Sequence, residues 1–183
     1  MISLHNVTKM FGKQKALDAV SLNIPAKTFV ALAGPDGAGK TTLLRMIAGL
    51  LKPTEGTLQA CGLDTIKEAQ KLHEQIGYMP QRFGLYEDLT VQQNLSLYAD
   101  LQNVSKEEKP HIFAKLLNMM NLSSFTERLA GDLSGGMKQK LGLACTLIRK
   151  PTLLLLDEPS VGVDPVSRRE LWELMQQFLA EGI

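Results

Sequence analysis

Cysteine is scarce in this chain. Cys61 and Cys145 are the only two among 183 residues, and they lie far apart in apolar company. That excludes a disulfide framework, and with no CxxC pair and no histidine beside either thiol there is no zinc-binding pattern. Both read as ordinary buried thiols, a usage that fits the cytosol. Histidine is almost as sparse: His5, His73 and His111 read as surface or hydrogen-bonded side chains. An excess of charge of one sign is also lacking. Lys and Arg number 20 against 19 Asp and Glu, a net charge of +1. No broad basic field is available for nucleic acid, which is not expected as a partner; only a local basic patch stays open. No apolar run approaches the roughly 18–20 residues that cross a bilayer. Met1–Met10 has no continuous apolar stretch of the kind a signal peptide carries. Work at a membrane therefore requires some other segment to span it. Internal repeats, low-complexity tracts and flexible linkers are absent as well.

What is present is an ordinary globular composition, 44% hydrophobic and 21% charged, in a length that allows one or at most two domains with a sizeable core. Ile2–Thr8, Ala19–Ile24, Thr28–Ala33, Gly56–Ala60 and Ile76–Met79 read as strands, short and rich in apolar or β-branched residues. Thr152–Leu156 is too short for a helix, follows Pro151 and reads as a strand buried on both faces. Helices are predicted over Thr41–Leu50, Val91–Leu101 and Lys106–Met120, within Leu133–Arg149 after an N-capping Ser134, and over Pro165–Ala180. In that last segment Leu171, Leu174, Met175 and Phe178 share a helical face. Strands alternating with helices imply an α/β fold whose sheet is mostly parallel. Residues from about 87 to 132 read as a helical insertion into it.

Two segments carry chemistry. Gly34-Pro35-Asp36-Gly37-Ala38-Gly39-Lys40-Thr41 matches GxxxxGK[ST] without a gap, between a predicted strand and a predicted helix. Glycines let the backbone N–H groups turn toward phosphate oxygens, and the helix start adds its positive dipole end. Lys40 reaches the β- and γ-phosphates, the Thr41 hydroxyl ligates Mg²⁺, and Thr42 donates to phosphate from the first turn. Average residue usage puts a chance match at about one in a hundred chains of this size. The second segment is Leu153-Leu154-Leu155-Leu156-Asp157-Glu158, an apolar strand that ends in two acids 117 residues after Lys40. Asp157 is the candidate Mg²⁺ holder, through water, and Glu158 the candidate general base toward an attacking water. The competing reading is a solvated turn before Pro159.

Leu133-Ser134-Gly135-Gly136-Met137-Lys138-Gln139 resembles the LSGGQ signature of ABC ATPases, with Met137 in the place usually held by Gln. In that family this segment of one subunit closes over the γ-phosphate held by the phosphate loop of a second, so that two head-to-tail subunits sandwich two ATP molecules. The resemblance places further residues. Phe11, before Gly12, matches the aromatic that stacks on adenine. Gln81, after Tyr78-Met79-Pro80, matches the glutamine that contacts Mg²⁺ and the attacking water. Ser160–Asp164 resembles the loop that packs across the dimer interface. The resemblance covers essentially the whole chain. The fold it implies is a P-loop NTPase with a mostly parallel central sheet, an N-terminal antiparallel β subdomain and an inserted helical subdomain.

The family's switch histidine and the C-terminal strand that carries it have no counterpart before Ile183. The chain therefore reads as a fragment of a longer protein, expected to bind ATP and hydrolyse it weakly. Asp36 stands where Asn or Ser is more usual, an anion beside the triphosphate. Only 94 residues separate Lys40 from Ser134, which excludes members that carry a long coiled coil there. The full-sized insertion, and Glu87–Leu95 with its resemblance to the transporter pattern LTVxEN (Gln93 replacing Glu), favour a transporter ATPase over a soluble translation-factor type, the alternative retained here. A nucleotide-binding switch has no need of Glu158. Asp164–Arg169 resembles drug- and antibiotic-efflux ATPases. The resemblance thus implies ATP hydrolysis that drives transport, in the export direction. It further implies a transmembrane permease partner and a position at the cytoplasmic, inner face of the cell membrane.

Overall fold

A computed structural model describes residues 1–180 and 182; Glu181 and Ile183 lie outside the described residues. Two compact units emerge, the first from Met1–Tyr78 and Pro151–Asp157 with Gly182, the second from Met79–Lys150 and residues 158–180.

The first unit opens with a long hairpin, β1 (Ile2–Phe11) and β2 (Gln14–Ile24), turned by Gly12 at φ 58°. The phosphate loop follows and leads into α1 (Lys40–Ile47). Then come β3 (Glu55–Ala60), the two-residue β4 (Leu63–Asp64), a short α2 (Ala69–His73) and β5 (Ile76–Met79); β6 (Leu153–Leu156) returns much later in the chain. Strands β2-β1-β3-β4 form an antiparallel sheet in that order. Its alternation slips at His5–Asn6. Asn6 takes φ 47°, and a Cβ at Gly56 would lie 2.4 Å from the carbonyl oxygens of both His5 and Asn6. This bulge is why Ile2, Leu4 and Val7, at spacings of two and then three, all face one core. Leu43, Met46, Ile47 and Ala48 of the α1 region, with Leu58, Leu72 and Leu155, complete that core. Strands β5 and β6 pair separately. The residues entering both strands meet, with Thr152 N–H donating to Gln75 O at 2.7 Å, so the two run parallel.

The second unit is helical: α3 (Val91–Leu101), α4 (Lys109–Met119), α5 (Gly135–Leu147) and α6 (Pro165–Ala180). Thr90 and Gln93 form a reciprocal capping box on α3, with Gln93 N–H to Thr90 Oγ1 at 3.1 Å and Thr90 N–H to Gln93 Oε1 at 2.9 Å. Asn94 is fully buried yet satisfied: its amide donates to the carbonyls of Tyr86, Leu89 and Thr90, and its oxygen accepts from Tyr86 N–H. It pins the loop that enters α3.

Most expected elements are found, with helix starts moved by a few residues: α4 begins at Lys109 rather than Lys106. Three expectations fail. The strand at Thr152–Leu156 is not buried on both faces: Leu155 is buried, Leu153, Leu154 and Leu156 are half-buried and Thr152 is exposed. Cys61 is half-buried, unlike the buried Cys145. Thr28–Ala33 is not a strand; it lies in neither sheet, and Phe29, Val30 and Leu32 are exposed. The apolar run carries strand propensity, but a strand exists only where a neighbour's backbone completes the ladder. Among the described residues none does so for this segment.

Candidate functional site

In the first unit the phosphate loop leaves Gly34–Ala38 exposed and turns into α1 through two left-handed glycines, Gly37 at φ 78° and Gly39 at φ 89°. Gly39 is required twice over. Its φ disfavours any side chain, and a Cβ would sit 2.5 Å from Ala16 O and 3.0 Å from Leu17 Cδ2. The loop is thereby seated on β2, the second arm of the hairpin whose first arm ends at Phe11. The Phe11 ring is half exposed at the hairpin tip, with the Lys9 ammonium 5.2 Å from its centroid and anchored on Lys52 O at 2.8 Å. Lys40 arches over the loop, Nζ donating to Gly34 O at 2.8 Å and Pro35 O at 2.9 Å. Asp36 is exposed, and Thr42 is half-buried in the first turn of α1.

Asp157 follows directly on β6 and is only 2% exposed. Its Oδ1 accepts from the Thr41 hydroxyl at 2.9 Å, and its Oδ2 from the Tyr78 hydroxyl, more loosely, at 3.4 Å. Burial pushes the Tyr78 phenol up; the Arg45 guanidinium, donating toward its oxygen, pulls it down; the Asp157 charge adds to the rise. The sequence reading missed Tyr78 and Arg45. The available signal was Tyr78 on a short strand just before Pro80-Gln81. Thr41 and Asp157 place a hydroxyl and a carboxylate side by side, hard oxygen donors of the kind Mg²⁺ takes alongside phosphate oxygens and water. Among the described residues no three His, Cys, Asp or Glu converge on a metal position. A few oxygen donors, rather than an all-protein cage, are what the chain offers.

In the second unit Gln81 Nε2 donates to Glu158 Oε2 at 2.8 Å, joining two residues 77 apart in sequence. Glu158 holds φ 51°, an uncommon conformation for a non-glycine and one that concentrates at functional positions. Ser134 caps α5, its Oγ accepting Met137 N–H at 3.3 Å. The two glycines behind it are forced by close approach. A Cβ at Gly135 would lie 2.8 Å from Gly162 O, and one at Gly136 would lie 2.7 Å from both Cβ and Oγ of Ser167. The loop Ser160–Asp164 and the first turn of α6 are therefore packed directly on the signature segment. Asp164 caps α6 through Val166 N–H and Ser167 N–H, both at 3.0 Å. Farther along, Lys140 of α5 is buried with its ammonium on Glu170 of α6. Lys138 bridges to Glu87 at 2.8 Å, which holds that carboxyl below its ordinary range.

Comparison with known proteins shows the family. A family model described as ABC transporter matches residues 17–161. The chain is 56% identical over 185 residues to the probable multidrug ABC transporter ATP-binding protein YbhF of Escherichia coli, covering all of this chain and 32% of that protein. It is 36% identical over 181 residues to the Nod factor export ATP-binding protein I of Burkholderia orbicola, covering 99% of this chain and 60% of that one. It thus spans about a third of the first relative's length and about three fifths of the second's. A solved dimeric ATP-binding cassette in a post-hydrolysis state, bound to ADP and Pi, superposes with a TM-score of 0.86 at 32% identity, covering 99% of this chain and 84% of that one.

Proposed function

The chain belongs to the ABC transporter family, and on that premise we propose that it binds ATP with Mg²⁺ and hydrolyses it to drive export of a substrate across a membrane. One observation carries the reading: the Thr41–Asp157 hydrogen bond ties the phosphate loop to the acid at the end of an apolar strand 116 residues away. A phosphate cradle alone only binds; a cradle joined to a buried carboxylate can also hold the metal that phosphoryl transfer needs. Thr41 and Asp157 would hold Mg²⁺, Asp157 through water. When bound, the ion neutralises charge on the β- and γ-phosphate oxygens.

The side chains divide the remaining work. Backbone N–H groups of Asp36–Thr41 and the start of α1 hold phosphate oxygens, Lys40 supplies a cation to the β- and γ-phosphates, and Thr42 adds a hydroxyl. Phe11 offers a half-exposed ring face to the adenine. Glu158 takes the proton of the attacking water, and Gln81, already bonded to its carboxylate, orients that water and reaches toward the ion. Ser134, Gly135 and Gly136 present a capped helix start to the γ-phosphate held by a second copy, in a head-to-tail dimer.

No helix among the described residues is long and apolar enough to cross a membrane. The transported substrate would pass through a separate or fused transmembrane permease, contacted by the helical segment from about 87 to 132 at the cytoplasmic membrane face. Export is favoured because the relatives' names are multidrug transporter and Nod factor export proteins.

Single-turnover hydrolysis of labelled ATP tests the reading. Glu158→Gln is expected to slow the chemical step by about a hundred-fold or more while nucleotide affinity stays near the parent's. Lys40→Ala is expected to lose nucleotide affinity itself. Unchanged cleavage in Glu158→Gln would overturn the general-base assignment.

A further inference from the structure

We infer that Tyr78 is a positioning residue that helps to hold the Asp157 carboxylate in the orientation its metal-holding role requires. The inference rests on the proposed role of Asp157 and extends it to a residue to which the sequence assigned no role.

The donor inventory fixes the direction of the bonds at Asp157. An ionised carboxylate can only accept, so the Tyr78 hydroxyl gives its one proton toward Asp157 Oδ2, 3.4 Å away. Thr41 occupies Oδ1 at 2.9 Å. Both carboxylate oxygens are thus held, one from α1 and one from β5, and the group cannot rotate about its Cβ–Cγ bond without giving up a donor. Burial makes this matter. At 2% exposure Asp157 has little water to replace a lost partner. Each donor also sits on a regular element. Tyr78 is on β5, the parallel neighbour of the strand that delivers Asp157, and Thr41 is in the first turn of α1.

Alignment of a carboxylate affects a metal that it helps to hold far more than a nucleotide held by backbone N–H groups. The two are separable by titrating Mn²⁺, read by electron paramagnetic resonance, into the chain with saturating ATP, and by measuring ATP affinity in EDTA. Tyr78→Phe removes one oxygen and keeps the ring, so the packing of β5 is retained. It is expected to weaken Mn²⁺ binding by about three- to ten-fold, the net worth of one ordinary hydrogen bond, with metal-free ATP affinity unchanged. Asp157→Asn separates the two levels of the argument. If it leaves Mn²⁺ binding intact, the metal-holding reading of Asp157 fails. If it weakens Mn²⁺ binding while Tyr78→Phe does not, that reading stands and the positioning role is overturned. Equal loss of metal-free ATP affinity in Tyr78→Phe would likewise overturn it, as general damage to the unit.

Discussion

Replacing Gly136 with alanine isolates the packing of the signature segment from its backbone conformation. Gly136 lies inside α5 with no left-handed φ, so alanine meets no dihedral objection and by helix propensity alone would gain up to about 1 kcal/mol. The opposing effect is steric. The added Cβ would stand 2.7 Å from Ser167 Cβ and Oγ, with Val163 Cγ1 at 3.6 Å. Carbon atoms in comfortable contact are about 3.5–4.0 Å apart, so roughly 1 Å must be found. Ser167 cannot yield it cheaply. Its Cβ is fixed to the first turn of α6, where its own N–H is held by Asp164 Oδ1 at 3.0 Å. Overpacking costs about 1–3 kcal/mol, and a clash with a rooted Cβ belongs to the upper part of that range, about 2–3, leaving a net loss of about 1–2 kcal/mol after the propensity gain. Urea denaturation should show a lower midpoint with an unchanged slope. Melting should fall by about 3–6 °C for a chain of this length. Ser167→Gly removes both offending atoms, so in the Gly136→Ala background it should restore most of the loss. The pair should show a coupling of about 1 kcal/mol or more. A Gly136→Ala chain as stable as the parent, or one that Ser167→Gly fails to rescue, would refute the close approach as the reason for glycine here.

The Lys140–Glu170 pair should respond asymmetrically. The Lys140 side chain is 10% exposed against 46% for Glu170, so Glu170→Ala strands a buried ammonium and is expected to cost about 1–3 kcal/mol, whereas Lys140→Met fills the same space without charge and should cost under about 1 kcal/mol. Denaturant midpoints that rank the two the other way would show that the ion pair itself is strongly net stabilising. Asp164 should shape the acid limb of stability. The Ser167 side chain first, then the backbone N–H groups of Ser167 and Val166, hold its carboxyl below the ordinary value of 3.8. The unfolded chain therefore binds more protons near that pH. The contribution is complete above the unfolded value and disappears as pH falls through the lower folded one. Asp164→Asn should make stability fall less steeply between about pH 5 and pH 2.5 than in the parent, measured as urea midpoints; parallel curves would contradict the assignment.

How legible each part was depends on whether its cause is local. The phosphate loop was readable because the residues that need special φ, a cation and a hydroxyl are contiguous, and Gly39, Lys40 and Thr41 take those roles in order. The Ser134 cap and the α6 boundary at Pro165 were readable for the same reason. Thr28–Ala33 was misread because strand propensity is local while strand pairing is not. The bulge at Asn6 was invisible because its cause, the close approach of Gly56, lies 50 residues away. Tyr78 met Asp157 across 79 residues, and Lys140 met Glu170 across 30, with no pattern in either neighbourhood to announce the meeting. What the sequence concealed were relations between elements, and the donors around Asp157 belong almost wholly to that class.

Two of the three substitutions in the family pattern, Gln93 and Met137, fall where the fold uses an atom that both residues share; nothing in the structure explains Asp36. Gln93 replaces Glu in the segment resembling LTVxEN, yet the capping box asks position 93 only for an sp² oxygen to accept Thr90 N–H and for a backbone N–H to give Thr90 Oγ1, and glutamine has both. Met137 replaces Gln in the signature, yet Ser134 is satisfied by the backbone N–H of residue 137, which is indifferent to the side chain. The glycines around it have no such latitude. Gly135 faces a backbone oxygen and Gly136 a rooted Cβ, so the hydrogen atom of glycine is itself the requirement. At Gly135 and Gly136 in the signature and at Gly39 in the phosphate loop, the fold leaves no room for a side chain.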